Sequence, residues 1–318
     1  MRHAWILVGV ALSLAPAGLA LAQPLATEVV AFEPRPVESW SEAQVELHRR
    51  GFSCGSIDGV PGPRTRSALL ALQRRAGLAE TGELDEATRS QLLLTAPAVA
   101  AHIIVTAELA ELGTVPTTWL GKSGQDSLPY TTALEMVAER YRAAPGYLRR
   151  LNSGIDWETV VAGTVVRVPA VERATITGVP ARIVIGLEAR SLEVQDEGGA
   201  IVARFPVSIA RKVESRPVGD LHVTVVAAEP NYTFDPEVFP ESAEAAALGR
   251  KLILPPGPNN PVGRAWIGLD RPGYGIHGTP DPENVGRTES HGCFRLANWD
   301  AVMLLSLVHI GMTVIVEP

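Results

Sequence analysis

Apolar and polar positions along this chain change period twice, dividing it into three blocks. In the first block, Val45 and Leu47 give a short helix its apolar side, Ser41 and Gln44 stand at capping-box spacing, and Gly51 ends the helix. After an Asp58-Gly59 turn, Pro63 suits the first position of a second helix. That helix carries Ala68, Leu69, Leu72 and Gln73 at helical spacing and stops at Gly77. A third is predicted from about Asp85 to Leu93. In the second block, Thr132 caps with Glu135 to open a helix carrying Leu134, Val137, Ala138 and Tyr141. Pro145 opens another through Leu148 and Leu151, and residues 164–169 alternate as a strand. The third block is strand-rich: residues 182–187, 191–194, 201–209 and 221–226 show β-branched alternation. Helical pattern returns only at 299–308, before a closing strand at 312–316. A mainly antiparallel β domain, curled into a barrel or sandwich, is predicted there.

Between the blocks the pattern fades. Residues 23–38 carry several prolines and little periodicity and read as a linker. Residues 95–129 are rich in Ala, Thr and Gly and give no assignable pattern; His102 there reads as a packed histidine. Residues 255–263 hold too much proline for regular structure, and lead into segments 266–269 and 274–277.

Composition narrows the class. The 318 residues are 46% hydrophobic and 20% charged, enough for two or three domains with cores of their own. A net charge of -7 without a basic stripe argues against nucleic acid as a partner. Arg2 and His3 precede an apolar run at 6–14, and Ala20-Leu21-Ala22 forms a small-x-small cleavage site before Gln23. Residues 1–22 therefore read as a secretory signal peptide, and the mature protein as exported, to the periplasm or cell envelope. No other stretch approaches the ~20 continuous apolar residues of a membrane span. Two cysteines in an exported protein invite a disulfide, but Cys54 and Cys293 fall in different blocks. No bridge is expected, and Cys54 reads as a small buried residue.

The chemistry concentrates between Ile276 and Leu296. The sequence reads Ile276-His277-Gly278-Thr279-Pro280, a loop, then Ser290-His291-Gly292-Cys293-Phe294-Arg295-Leu296. A thiol is a nucleophile as the thiolate, and a neighbouring imidazole is the usual activator. Small residues around the sulfur let a carbonyl approach and leave the backbone N–H groups of His291, Gly292 and Cys293 to hold an oxyanion. Zinc could also use His277, His291 and Cys293, but no HExxH or HxxxD pattern accompanies them and Gly292 adds nothing to that reading.

Both motifs, their order and their spacing resemble the active-site signature of the L,D-transpeptidase catalytic domain, the YkuD family. The resemblance covers about 181–318 and includes Tyr232-Thr233-Phe234-Asp235-Pro236; Phe294 stands where the family has an aliphatic residue. It implies Cys293 as nucleophile and His277 as base, oriented by a backbone carbonyl or small polar group rather than an acid. His291, Gly292 and Ser290 would shape the site. Thr279 and Ser290 would set loop hydrogen bonds or touch substrate, and Arg295 would meet a substrate carboxylate or an internal partner. The implied reaction passes the acyl group of the third residue of a peptidoglycan stem through a thioester. Its acceptor would be a second stem (3-3 cross-links), an envelope-protein lysine, or water as in an L,D-carboxypeptidase, with no metal or cofactor. Residues 39–94 resemble the peptidoglycan-binding-1 domain, an all-α module, whose G-[FY]-x3-G-x-I-D-G-x2-G-x2-T pattern sits almost intact between Gly51 and Thr65. Residues 128–170, with Leu151-Asn152-Ser153-Gly154, resemble the second part of a LysM domain, an α+β module binding N-acetylglucosamine-containing glycan, whose first strand would lie near 128–131. Peptidoglycan, stems and glycan strands alike, is the implied partner. A wall-binding protein with a silent catalytic domain remains the alternative.

Overall fold

Ser39, two residues before the predicted cap, opens the first helix: its hydroxyl accepts from the Glu42 N–H. Gln44 is thereby released from capping and buried. Its side-chain amide donates to Asp58, Val60 and Thr65 and accepts from the N–H groups of Asp58 and Gly59. One side chain thus holds the Asp-Gly turn shut, which a buried amide must do to satisfy its own donors and acceptor. The computed structural model describes residues 32–171, 175–211, 216–238, 242–287 and 292–318. Residues 1–22, the signal-peptide reading, lie outside them. Residues 33–318 form one compact unit.

The front module contains β1 (Arg35–Pro36), α1 (Trp40–Arg49), α2 (Pro63–Ala76), α3 (Glu86–Gln91) and β2 (Leu93–Leu94). Pro63 starts α2 and a left-handed Gly77 ends it. Asp85 caps α3, which is shorter than its pattern suggested because Leu93 and Leu94 extend to pair antiparallel with β1. That pairing, with Val37 buried, makes the end of the expected linker part of the module. Leu47, Phe52, Leu69, Leu92 and Leu94 fill its core beside a buried Cys54, whose thiol burial pushes up to about 12.

The middle module runs β3 (Val99–Ile103), α4 (Thr106–Ala110), α5 (Trp119–Ser123), α6 (Ala133–Arg140), α7 (Pro145–Leu151) and β4 (Val165–Pro169). The strand pairing with β4 is β3, antiparallel from Val99↔Pro169 to Ile103↔Val165, not a segment near 128–131 as expected. Leu128 is instead buried, exchanging backbone hydrogen bonds with Pro256 and Asn259. His102, half-buried on β3, lies 3.1 Å from Glu108.

The third block is built from β5 (Arg182–Gly186), β6 (Ser191–Gln195), β7 (Ile201–Pro206), β8 (Gly219–Ala228), β9 (Tyr232–Phe234), α8 (Ala243–Leu248), β10 (Leu252–Leu254), β11 (Ala265–Leu269), β12 (Gly275–His277), β13 (Phe294–Arg295), α9 (Asn298–Leu305) and β14 (Thr313–Glu317). Eight of these strands form one sheet in the order β13-β12-β11-β8-β14-β5-β6-β7. Every pair is antiparallel except β12 with β13 and β14 with β5. Just past β7, Ser208 bridges to Arg295 through two backbone hydrogen bonds of 2.9 and 3.0 Å. The sheet's two edges meet there, so the predicted curl is a barrel, around Ile183, Leu192, Phe205, Ile267, Phe294 and Val314. The hairpin of β9 and β10 stands apart from it.

The modules are joined by buried polar groups. Phe52 bridges to Arg204 of β7, whose fully buried guanidinium donates to the Ser53 carbonyl and Ser67 hydroxyl. Ser53 donates to Asp300 of α9 at 2.8 Å. Burial pushes the Asp300 carboxyl up to about 7 against the pull of Ser53, Arg142, Arg204 and Arg64. On the other side, Glu139 of α6 accepts from Tyr130 and from Asn298 of α9, and burial raises it to about 7 as well. A carboxyl raised in the folded state binds a proton that the unfolded chain has already released. Its contribution is complete below the unfolded value near 4 and is lost as pH rises to the folded value near 7, by up to about 1.4 kcal/mol per pH unit. Buried His48, lowered to about 3, has the opposite slope below pH 6.5. We therefore expect the stability of the wild type, measured against Asp300→Asn by thermal unfolding, to decline steadily between pH 5 and 7. A difference independent of pH would show that Asp300 is ionised in the fold.

Candidate active site

Register decides which side chains meet. β12 and β13 pair in parallel with Ile276 opposite Phe294 and His277 opposite Arg295. Successive residues of a strand face opposite sides. Ile276 and Phe294 point into the barrel core, so His277 and Arg295 share the other face, with Cys293 immediately before β13. Phe294 is accommodated as core. On the neighbouring strand Trp266 pairs directly with His277, and the rings stack with centroids 5.6 Å apart and planes at 21°. A Cβ on Gly275 would lie 2.6 Å from the Trp266 ring, so a glycine there lets the indole lie flat across β12.

His277 is buried, and its Nδ1–H donates to the Gly278 carbonyl at 2.6 Å. This backbone partner fixes the tautomer and leaves Nε2 as the nitrogen with a free lone pair. Gly278 is held in turn: its Cβ would fall 2.4 Å from the Asn298 side-chain oxygen, and one on Gly263 (φ 62°) would fall 2.0 Å from it. Asn298 accepts from the Arg264 N–H and donates to the Pro258 carbonyl and to Glu139. The loop carrying the histidine's anchor is therefore packed on an amide that belongs to α9 and is shared with the middle module.

The electrostatics define the resting state. Burial lowers His277 to about 4; the Gly278 hydrogen bond opposes this and the Arg295 charge adds to it. Burial raises the Cys293 thiol, while the Gly275 N–H and Arg295 pull it down. The sulfur also lies 3.4 Å from the Gly273 carbonyl. Burial thus disfavours the charged form of both groups, which opposes a resting thiolate–imidazolium pair.

Both open onto a cavity of about 630 Å³, lined also by Trp266, Tyr274, Thr279, Gly292 and Arg295. Thr279 accepts from the Asp281 N–H, and among the described residues no carboxylate lies within ion-pair distance of Arg295. Ser290 and His291 lie outside the described residues. Four contributors were not singled out from the sequence. Trp266 and Gly275 carry a signal in the bulky and absent side chains of paired strands. Trp119 and Lys122, from the segment without assignable pattern, line the cavity too, and nothing local distinguishes them.

Residues 180–316 match the family described as "L,D-transpeptidase catalytic domain" (YkuD), and residues 37–92 the family described as "Putative peptidoglycan binding domain". The chain is 27% identical over 185 residues to "Putative L,D-transpeptidase YkuD" of Bacillus licheniformis, covering 58% of this chain and 93% of the relative. To "Probable L,D-transpeptidase YbiS" of Escherichia coli it is 30% identical over 187 residues, covering 58% of this chain and 60% of the relative. A solved L,D-transpeptidase from Xylanimonas cellulosilytica aligns over 89% of this chain and 95% of its own at 14% identity, with a TM-score of 0.38, a similarity too weak to carry weight. Residues 180–316 thus carry an L,D-transpeptidase catalytic domain and residues 37–92 a peptidoglycan-binding domain, which makes this chain an enzyme of the L,D-transpeptidase type.

Proposed function

We propose that this protein is exported and transfers acyl groups of peptidoglycan stem peptides through a thioester on Cys293. The observation that supports this best is the shared face of β12 and β13, where a thiol, an imidazole tied to a backbone carbonyl and a guanidinium line one cavity. Cys293 Sγ attacks the carbonyl of the third stem residue while its proton passes to His277 Nε2. The C–N bond to the terminal D-Ala then breaks, and the leaving amine takes that proton. An acceptor amine next attacks the thioester, gives its proton to His277 and releases the thiol. Backbone N–H groups at Gly292 and Cys293, with His291 and Ser290 shaping the loop, hold the oxyanion of each tetrahedral intermediate. The acceptor is the amine of a second stem, giving 3-3 cross-links, or a lysine of an envelope protein. Water in its place gives L,D-carboxypeptidase activity. The front domain, which belongs to a peptidoglycan-binding family, raises the local concentration of the polymer at the site.

Intact-mass spectrometry with a carbapenem tests the nucleophile. We expect one covalent adduct on the wild type, none on Cys293→Ala, and formation at least ~100-fold slower on His277→Ala, the usual size of a general-base contribution. An adduct that survives Cys293→Ala overturns the assignment. A zinc mass shift dependent on His277 in place of an adduct would favour a metal site. Tetrapeptide-bearing muropeptides then identify the acceptor.

The pH dependence of adduct formation tests the base. His277 lowered to about 4 is neutral above that pH, so the rate should hold on acidification to pH 5.5 and fall only as pH approaches 4. An acid limb centred near 6.5 would mean that the imidazole doing the work is exposed.

A further inference from the structure

The segment between β3 and α6 is long for a connection within a small module, and it does not stay within that module. It packs on the β9–β10 hairpin. Trp119 stacks on Phe234 with centroids 4.4 Å apart and planes at 17°, and Val115, Trp119 and Leu128 join Phe234, Leu252 and Leu254 in one apolar cluster. The Leu120 N–H donates to Glu244 of α8 at 3.0 Å. Leu128 is clamped by Pro256 and Asn259, and a Cβ on Gly257 would lie 2.3 Å from the Leu128 carbonyl oxygen. Fixed at both ends, the segment places Trp119 and Lys122 in the wall of the cavity that holds Cys293 and His277.

The charges of that wall are uneven. Lys122 and Arg295 are its cations and Asp281 is its carboxylate among the described lining residues. The Lys122 ammonium lies 5.3 Å from the centre of the Trp119 ring, a contact that orients the stem of a lysine without neutralising its charge. Among the described residues, no carboxylate is within ion-pair distance of either cation. Two cations with no carboxylate partner among the described residues, one half-buried beside an aromatic face, suit an anionic group brought by the ligand.

We propose that α5 is a substrate-selecting wall of the acyl site, in which Lys122, with Arg295, recognises a free carboxylate of the stem peptide beside the reacting carbonyl. The inference rests on the acyl-transfer reading above and makes Lys122 a specificity residue, not a catalytic one. It implies that the middle module takes part in choosing the substrate, and that a stem whose carboxylate has been converted to an amide is a poorer donor.

The full-length enzyme tests this with a synthetic disaccharide tetrapeptide and with the same compound amidated at one carboxylate at a time. Steady-state release of D-Ala is followed for wild type, Lys122→Met and Lys122→Arg, with carbapenem adduct formation as a check on Cys293. We expect Lys122→Met to raise KM for the free acid roughly tenfold, the scale of one charge-assisted hydrogen bond, with kcat within about twofold. One of the amides should show the same loss with wild type and no further loss with the variant, and Lys122→Arg should restore most of the affinity. Equal effects of Lys122→Met on acid and amides, or no effect on either, would overturn the proposal while leaving the thioester reading intact. D-Ala release from none of these compounds by wild type that still forms the adduct would overturn both.

Discussion

The active site depends on the pairing of two very short strands. β12 and β13 contribute three and two residues, too few to hold a register by themselves, and a slip of one residue would exchange His277 with Ile276. Three constraints prevent it. Phe294 and Ile276 are locked into the barrel core, Trp266 fixes β12 from the far side, and the Ser208–Arg295 bridge fixes β13 from the near side. The closure that makes the sheet a barrel is therefore the contact that aligns histidine with arginine and sets cysteine beside them. Geometry of this kind serves chemistry best on regular elements, because loops seldom hold side chains to within half an ångström.

A second layer converts this alignment into a chemical state. Burial alone would raise the thiol and depress the imidazole, and both shifts oppose an ion pair. The fold adds one backbone acceptor for Nδ1 and one guanidinium on the same face.

Much of this was legible in the chain. The two glycine-flanked motifs singled out Cys293 and His277, which the fold brings to one cavity, and strand periodicity located most of the barrel. The failures have physical causes. Ser41 looked like a cap, but Ser39 serves, and Gln44 was needed inside to hold the Asp58-Gly59 turn. The first strand of the middle module was sought near Leu128, where an apolar residue is buried for an intermodular reason. Its actual residues, Val99–Ile103, include two alanines and a histidine that give weak alternation. Trp119 and Lys122 lie more than 150 residues from Cys293 in sequence, and no local pattern reports a contact made only by tertiary packing.

Asn298 has a wider consequence. One amide touches the turn that anchors the histidine and the carboxyl group of a neighbouring module, so the parts of the enzyme share a packed seam instead of a slack tether. The front domain, which matches a peptidoglycan-binding family, meets the same helix through Ser53 and Asp300, a ruler rather than a leash. In an enzyme of this type such a span would set a fixed distance and angle between the place where the polymer is gripped and the place where it is cut and rejoined. The meshwork of the wall would then be sampled at one spacing, and strands lying closer or farther would be passed over however well their peptides fit.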